Sequence, residues 1–395
     1  MGDPPQGSFG MNAFIDSIHP FQNGLSSSGM WLRWVDLICL VGALLGTGMM
    51  LLRWSQIAAV REGRAVKANP LEWPSTLALL AAVVVGSVQV WMRYREVNHF
   101  PSQTMSEVIV MSSFSLLVSM LILHFALQLK SIGYGWAIMG DALLVLVLLG
   151  VIGINCYTLT LSSAERDLPP ALQSYWFPPH LAALIFSYAT LTIAGLVTVI
   201  YFCLRFWMGV FRGGYSKGSQ LLLLACLLLI PFAQVATIPI FVLMGAVLFL
   251  LKLRGHLPGR EFMAPVEGTM EEVSYRAFSV GIPFLTAGLF MGAFWAQEAW
   301  ANYWGWDSKE NSALITWLVY IAYIHLRMLG GYRGEKAMAV LAAGAMSVFI
   351  TFQVFGFLPD SQKSLHRYTD DGVVPTEGMQ GKTSDETQAR LEVQR

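Results

Sequence analysis

Eight stretches of the chain are almost entirely apolar, and they constrain its fold more than any other feature. They cover roughly residues 32–53, 75–93, 105–129, 135–157, 180–208, 275–296, 312–329 and 337–358. A helix of about 20 apolar residues is long enough to cross the hydrocarbon core of a bilayer. A soluble domain of this size cannot bury a chain in which 55% of residues are hydrophobic and only 13% are charged. The sequence therefore predicts an all-α, polytopic transmembrane helix bundle with eight spanning helices.

A further apolar run, residues 219–253, contains Pro231 and Pro239. Because proline interrupts helices, we expect a two-legged hairpin here, which gives ten crossings, although a re-entrant excursion with eight crossings also fits. Residues 1–30 are rich in Pro, Gly and Ser and predict a flexible leader, whereas residues 359–395 predict a polar tail. The transmembrane domain between them spans residues 31–358.

The distribution of basic residues indicates the orientation of the bundle. Lys and Arg accumulate in the cytoplasmic loops of membrane proteins. With the N-terminus outside the cytoplasm, 15 of the 25 basic residues fall in inner segments, 5 in outer loops and 5 in the tail. This orientation places the leader, the tail and the loop near residues 295–317 on the non-cytoplasmic side. The formal net charge is zero, so nothing in the charge suggests a nucleic-acid partner.

That outer loop reads "WAQEAWANYWGWDSKENSALITW" and contains five tryptophans. Tryptophans also gather at membrane interfaces in general, but there they are spread over many helices. Here they crowd one short connection together with charged residues. The crowded residues are Trp295, Trp300, Trp304, Trp306, Asp307, Lys309 and Glu310.

Two histidines are predicted on the same side of the membrane as this loop. His180 begins one spanning helix and His366 follows the last one. Each alone fits an ordinary polar residue at a water interface. Together with the tryptophans they fit a site for a flat, iron-centred macrocycle, because aromatic side chains stack on its faces and imidazoles supply axial nitrogen ligands.

Two other histidines, His124 and His325, are predicted inside spanning helices near the cytoplasmic side. Ionisable groups at that depth usually face a cavity or a partner. They fit either hydrogen-bonded interhelical residues or ligands, and Asp141 is a candidate acceptor that orients one imidazole.

The segment from Trp295 to Arg327 resembles the WWD signature of the haem-handling membrane proteins of cytochrome c assembly. Within them it is most similar to CcsA, also called ResC, of System II, rather than to CcmC or CcmF. "LPPALQSYWFPPHLAALIFSYA" resembles the segment with the first external histidine, here His180. "SLHRY" resembles the segment with the second, here His366, and "IHLR" places the family's intramembrane histidine at His325.

The resemblance extends to "HFPSQTMSE", which is similar to an H-x-P…E element of the family. It assigns that element to His99, Pro101 and Glu107. Three features depart from the pattern. Run 219–253 resembles an insertion, the loop reads Asp-Ser-Lys-Glu-Asn where the family more often has Asp-Pro-Lys-Glu-Thr, and the element after His99 lacks the usual Ser-Asn and Tyr.

The resemblance implies a haem transporter that works with a membrane partner, CcsB or ResB, in a holocytochrome c synthase complex. It would present haem b to the C-x-x-C-H motif of an apocytochrome c, in a bacterial inner membrane or a thylakoid, with thiol-reducing proteins as further partners. His180 and His366 would bind the iron outside, and His325 inside, opposite a ligand from CcsB. The similar depth of His124 in the membrane offers that residue as an alternative to the CcsB ligand. The side chains expected to pack or orient the porphyrin are Trp295, Trp300, Trp304, Trp306, Asp307 and Lys309.

Within that set, Lys309 is expected to meet the haem propionates and Asp307 to anchor the loop. The chain contains no C-x-x-C-H motif, so it is predicted to handle haem without being a cytochrome. Two alternatives remain at this point. One is a haem exporter or chaperone that forms no thioether bonds; the other is a non-haem transporter in which the tryptophans are only an interfacial collar.

Overall fold

The computed structural model describes residues 26–56, 64, 68–126, 134–161, 169–214, 218 and 234–351. Over these ranges the chain is helical and contains no strand, which confirms the all-α prediction. A short 3-10 helix, Pro170–Gln173, precedes the fifth α-helix. In chain order the α-helices are α1 Ser27–Ser55, α2 Glu72–Val97, α3 Met105–Ala126, α4 Tyr134–Thr158, α5 Phe177–Arg212, α6 Gln234–Leu253, α7 Arg260–Trp300, α8 Ser308–Met328 and α9 Glu335–Phe349.

Six of these helices, α1 to α5 and α7, are long and apolar enough to cross a membrane. They correspond to six of the eight predicted spans. The other two predictions, 312–329 and 337–358, correspond to α8 and α9. Helix α8 has 21 residues, but its first turn is polar and its last turn carries His325 and Arg327. The described part of α9 has 15 residues, so the count of eight spans is not confirmed.

Only part of the apolar run 219–253 is described. Residues 219–233, including Pro231, lie outside the described residues, as do residues 1–25 of the predicted leader and all of the predicted tail. Residues 234–253 form the single helix α6, which contains Pro239. Its apolar stretch Ile240–Leu253 is shorter than the about 20 residues of a membrane crossing. The two-legged hairpin therefore stays a prediction.

Helix α7 begins at Arg260, well before the predicted span 275–296, and has 41 residues. Its first turns are not apolar, so hydropathy does not detect them. They are instead bound by ion pairs to neighbouring helices: Glu267 accepts from Arg205 of α5 at 2.5 Å, and Glu271 accepts from Arg327 of α8 at 2.6 Å. These pairs connect α5, α7 and α8 at the ends that the orientation predicts to be cytoplasmic.

Helices α5 and α7 form the centre of the bundle. Helix α7 packs along α5, and α5 also contacts α3, α6 and α9, while α1, α2 and α4 pack together on one side. Glycines allow the close approach of α5 and α7: a Cβ built on Gly288 would lie 2.6 Å from a methyl carbon of Leu184. Small residues commonly permit such contact between membrane helices. The contact places the first turn of α5 beside the last turns of α7.

We expect replacement of Arg327 by glutamine to lower the melting temperature of the purified protein by several degrees. Arg327 is buried, donates to Glu271 and lies with its guanidinium 4.1 Å from the centre of the Tyr275 ring. Removing one member of a buried ion pair costs about 3–5 kcal/mol. The control is Arg276→Gln, which breaks a partly exposed pair with Glu272 on α7 worth roughly 0.5 kcal/mol. Equal melting temperatures for the two variants would contradict this account.

Candidate functional site

A large pocket opens where α5 begins and α7 ends. Its walls come from α3, α5, α7, the start of α8 and the tryptophan-rich loop between α7 and α8. The pocket encloses about 1310 Å³ of open space, its mouth included. Most of the wall is aliphatic or aromatic. The lining side chains that carry polar atoms are Ser102, His180, Tyr188, Trp295, Tyr303, Trp304, Lys309, Glu310 and Thr351.

His180 lies in the first turn of α5 and lines this pocket. Its Nδ1 is 2.8 Å from the backbone carbonyl oxygen of Gly288 on α7. A carbonyl oxygen can only accept, so Nδ1 carries the proton and the lone pair of the neutral ring is on Nε2. The ring also stacks on Trp295, with centroids 5.5 Å apart and planes inclined by 30°. Tautomer and orientation are thereby fixed, which is the arrangement found for metal-binding imidazoles.

Gly292 makes room for this imidazole. A Cβ built on Gly292 would lie 2.6 Å from Cε1 and 2.8 Å from Nδ1 of His180. Real Cβ atoms do not approach so closely, so any side chain here would displace the ring. The sequence indicates only that Gly288 and Gly292 suit close helix packing. The role of Gly292 toward His180 depends on the register of α7 against α5, which the sequence does not reveal.

Trp295 packs against the ring of His180. It is 2% exposed, and its Nε1 donates to the carbonyl oxygen of Ala171 in the 3-10 helix at 2.8 Å. Its ring contacts Phe177 and Trp300, with centroids 5.0 and 4.9 Å away. Trp295 therefore connects the 3-10 helix, α5 and α7, and part of it reaches the pocket wall. Trp300 belongs to the same cluster and is not a lining residue.

The two remaining loop tryptophans have different surroundings. Trp304 lines the pocket, and its buried Nε1 has no hydrogen-bond partner among the described residues. Trp306 is 71% exposed and has a φ of 56°. The side-chain amide of Asn311 donates to its carbonyl oxygen at 2.8 Å, and its ring is not part of the wall. The prediction that Trp300, Trp304 and Trp306 all pack the same ligand therefore fits only Trp304 directly.

The end of the tryptophan-rich loop is held by a capping box. Asp307 is the N-cap residue of α8, and its carboxylate accepts from the backbone N–H of Lys309 at 2.7 Å. Glu310 accepts in return from the N–H groups of Asp307 and Gly305, at 3.2 and 2.8 Å. Such reciprocal bonds stabilise helix starts. They fix the point at which the side chain of Lys309 joins the pocket wall.

The opposite wall is held in a similar way. Thr104 and Glu107 form a capping box at the start of α3, with bonds of 3.2 and 3.1 Å. The buried Glu107 also accepts from the N–H of Gln103 at 2.9 Å and from Nε of Arg93 at 2.9 Å. The H-x-P…E element therefore forms a rigid turn. It presents Ser102 to the pocket.

Tyr188 is one of the lining residues that the sequence-based site does not contain. It follows His180 by eight positions on α5, with Leu184 between them, and all three line the pocket. Residues spaced by four lie on one face of a helix. Extending the helical periodicity from His180 would have identified Tyr188.

His124 and His325 are not brought together by the structure. The Nδ1 of His325 donates to the carbonyl oxygen of Ile321 at 2.8 Å, and the ring lies on an exposed face of α8. His124 hydrogen-bonds Thr76 of α2 through Nε2 at 3.2 Å. The main neighbours of α3 are α2, α4 and α5, whereas those of α8 are α7 and α9.

Asp141 has a different partner from the imidazole suggested by the sequence. Its Oδ2 accepts from Nε of Arg53 at 2.7 Å. Arg53 also donates to Glu72 at 3.1 Å, so three helices meet in one ionic cluster. Pairing is the usual reason why such groups are tolerated within membrane helices.

Comparison with known proteins places these elements in a family. Residues 102–360 match the family model described as cytochrome C assembly protein. The chain is 30% identical to the cytochrome c biogenesis protein CcsA of Gloeobacter violaceus over 291 residues, which cover 70% of this chain and 80% of that protein. This chain belongs to the CcsA family. It is also 33% identical to CcsA of Synechocystis sp. over 239 residues, 56% of this chain and 68% of that protein.

A third relative, CcsA of Microcystis aeruginosa, is 32% identical over 208 residues, and the chain spans 61% of its length. The match to the family model described as cytochrome C assembly protein includes α3 to α9 and all walls of the large pocket. Helices α1 and α2 precede it, as does His99. His366 follows it and lies outside the described residues, so its pairing with His180 stays a prediction.

Proposed function

We propose that this CcsA-family protein binds haem beside His180 and presents it for covalent attachment to an apocytochrome c, within a holocytochrome c synthase complex with a CcsB partner. The family supports a role in cytochrome c biogenesis. One observation carries the finer proposal: the imidazole of His180 is fixed by Gly288 at its Nδ1 and by the ring of Trp295, in the wall of a large apolar pocket.

The residues of the pocket suit haem as cargo. An imidazole nitrogen is a common axial ligand for haem iron. Aliphatic and aromatic walls match the apolar faces of the macrocycle. Lys309 supplies a cation for the propionates, and the indole Nε1 of Trp304 supplies a hydrogen-bond donor. We further propose that His366, from "SLHRY", supplies the second axial nitrogen outside.

For the inner site we retain His325 as the proposed ligand. Its Nδ1 is engaged by Ile321, so the lone pair of the neutral ring is on Nε2. Its exposed position on α8 supports a ligand contributed from another chain, and CcsB is the proposed source. His124 remains an alternative, but its contact with Thr76 directs it toward α2.

The protein's part in attachment is positioning. Each attachment joins a cysteine sulfur of the C-x-x-C-H motif to one carbon of a haem vinyl group, and the thiol hydrogen ends on the other vinyl carbon. That chemistry belongs to the haem and the thiols. The chain contributes by fixing His180 and by excluding water with its apolar walls. It also holds the haem vinyl groups in place, which raises the effective concentration of the vinyl and thiol groups toward each other.

The proposal is tested by purifying the full chain with its CcsB partner and recording the visible spectrum. We expect a low-spin haem spectrum with two nitrogen ligands. The same pair, expressed with an apocytochrome c in a host without its own assembly system, is expected to yield covalently attached haem. Bound haem without covalent attachment would instead indicate an exporter or chaperone. A preparation that never binds haem would refute the proposal.

We also propose the orientation predicted from the basic residues, with the pocket on the non-cytoplasmic side of a bacterial inner or thylakoid membrane. The six apolar helices support membrane integration. The ion pairs of Arg205 and Arg327 lie at the other ends of α5 and α8, where the predicted orientation places the cytoplasm.

A further inference from the structure

A second pocket lies between α1, α2, α3 and α4, on the side of the bundle away from α8. This α1–α4 pocket encloses about 660 Å³ of open space, its mouth included. Its wall is unusually polar for a position within membrane helices. Its polar side chains include those of Arg33, Asp36, Gln89 and Asn155 and the ion pair of Arg93 with Glu107.

Two buried amides in this wall have atoms without a protein partner. Asn155 is 1% exposed, and its Nδ2 donates to Oδ1 of Asp36 at 2.7 Å. A carboxylate oxygen accepts, so the amide orientation is set, and Oδ1 of Asn155 has no hydrogen-bond partner among the described residues. Gln89 is 5% exposed, and no hydrogen bond from the described part of the chain reaches its side chain. Buried polar groups without partners are costly, so this wall is suited to a ligand with hydrogen-bond donors.

Four charged residues line the pocket: Arg33, Asp36 and the buried ion pair of Arg93 and Glu107, whose charges neutralise each other. The charges of Arg33 and Asp36 are separated by depth. Asp36 lies one turn further into α1 than Arg33 and is partly buried, whereas Arg33 is exposed. Within the described ranges Arg33 forms no ion pair. The interior therefore offers the oxygens of Asp36, Asn155 and Gln89, beside the guanidinium of Arg93 that is paired with Glu107. The mouth offers the guanidinium of Arg33. A ligand with a donor-rich cation inside and an anion outside matches this order.

Aromatic side chains next in sequence to lining residues of the α1–α4 pocket are typical of a membrane interface. Trp34, next to Arg33, is 51% exposed, and on α2 the exposed rings of Trp91 and Tyr94 stack with centroids 5.6 Å apart. Exposed tryptophan and tyrosine typically lie at the level of lipid head groups. A lipid head group is therefore the ligand that reaches this mouth most directly.

We propose that the α1–α4 pocket binds the head group of a phospholipid with a primary ammonium, such as phosphatidylethanolamine. The three N–H donors of the ammonium match the oxygens of Asp36, Asn155 and Gln89. The phosphate lies at Arg33, whose guanidinium forms strong hydrogen bonds with such groups. A choline head group has no N–H donor and leaves the two amides unsatisfied. The proposal is independent of haem binding.

The test uses the full chain in nanodiscs of phosphatidylglycerol mixed with either phosphatidylethanolamine or phosphatidylcholine. Native mass spectrometry measures the retained lipid, and thermal unfolding measures stability. We expect retention of phosphatidylethanolamine to exceed that of phosphatidylcholine about tenfold, the effect of one hydrogen bond to a charged group. Gln89→Leu is expected to remove this preference. It is also expected to lower the melting temperature only in the nanodiscs that contain ethanolamine lipid.

The direction of the Gln89→Leu effect decides between the proposal and a pocket without a lipid. If no head group binds, leucine replaces an unsatisfied buried amide, and the melting temperature rises or stays constant in both lipids. That result would overturn the proposal. Ser87→Ala, an exposed position on the same helix, is the matched control and should change nothing. Arg33→Gln should also weaken the retention of phosphatidylethanolamine. Soluble phosphoethanolamine should not displace the bound lipid; if it displaced the lipid completely, the pocket would be a site for a small molecule instead.

Discussion

Replacing His180 with alanine is expected to abolish the haem spectrum of the outer pocket and the maturation of a co-expressed apocytochrome c. The loss of haem affinity should exceed about 100-fold, because even the loss of a group that merely orients a metal ligand costs roughly 10–100-fold. The melting temperature should change little, because the His180 ring lies at the wall of a pocket, where its removal enlarges an existing space. Absorbance after haem titration and the yield of covalent cytochrome c measure the two effects.

The His180 prediction has a specific control and a rescue. His256→Ala removes an exposed imidazole that hydrogen-bonds the carbonyl oxygen of Arg254 in its own loop, and it should leave both measurements unchanged. Added imidazole should restore part of the spectrum in His180→Ala, since the variant leaves a space of that shape. A His180→Ala protein with wild-type haem affinity would exclude this residue as the axial ligand.

The second large effect is expected from Gly292→Ala, a change that adds one methyl group. The methyl group would lie 2.6 Å from the His180 ring, so the imidazole must move and its bond to Gly288 must lengthen. We expect about a 10–100-fold loss of haem affinity, the range for disturbing an orienting contact of a metal ligand. The spectrum should change from low-spin toward high-spin character as the axial bond weakens.

The matched control for this variant is Gly268→Ala on the same helix, where a new Cβ meets nothing within 4 Å. Alanine is favoured over glycine in a helix by roughly 1 kcal/mol, so both variants should fold. If Gly268→Ala and Gly292→Ala reduced haem affinity equally, the loss would come from a general effect of alanine on helix α7 and not from the contact with His180. If neither did so, the contact between Gly292 and His180 would have no part in ligand binding.

Several features of the fold follow from short-range patterns, and these could be predicted. The apolar runs predict α1 to α5 and the apolar part of α7, because helix formation in a bilayer depends on consecutive apolar residues. Hydropathy fails at residues 260–274, since the charged start of α7 is held by Arg205 and Arg327. Hydropathy does predict the helix of α8, as the run 312–329, but the polar ends of α8 interrupt the apolar stretch, so its crossing of the membrane stays a prediction.

Part of the candidate site could be predicted, because several of its residues lie close together in one loop of the sequence. The tryptophan-rich loop and His180 identify the side of the bundle on which the pocket lies, and the pocket does contain His180, Trp304 and Lys309. The direction of each ring was not predictable. Trp306 differs from Trp304 by two positions, yet its side chain is exposed and its backbone adopts a left-handed conformation.

The amino-acid sequence by itself determines that this chain is a helical membrane protein of the CcsA family, because apolar run length and a dense motif are local properties of a chain. Only the tertiary structure decides the partner of each polar group. Asp141 binds Arg53 rather than an imidazole, and His180 binds the carbonyl oxygen of Gly288. These contacts join residues that are distant in the sequence. They depend on the register of the packed helices and on the distance between them, and a glycine such as Gly292 allows that distance to be short.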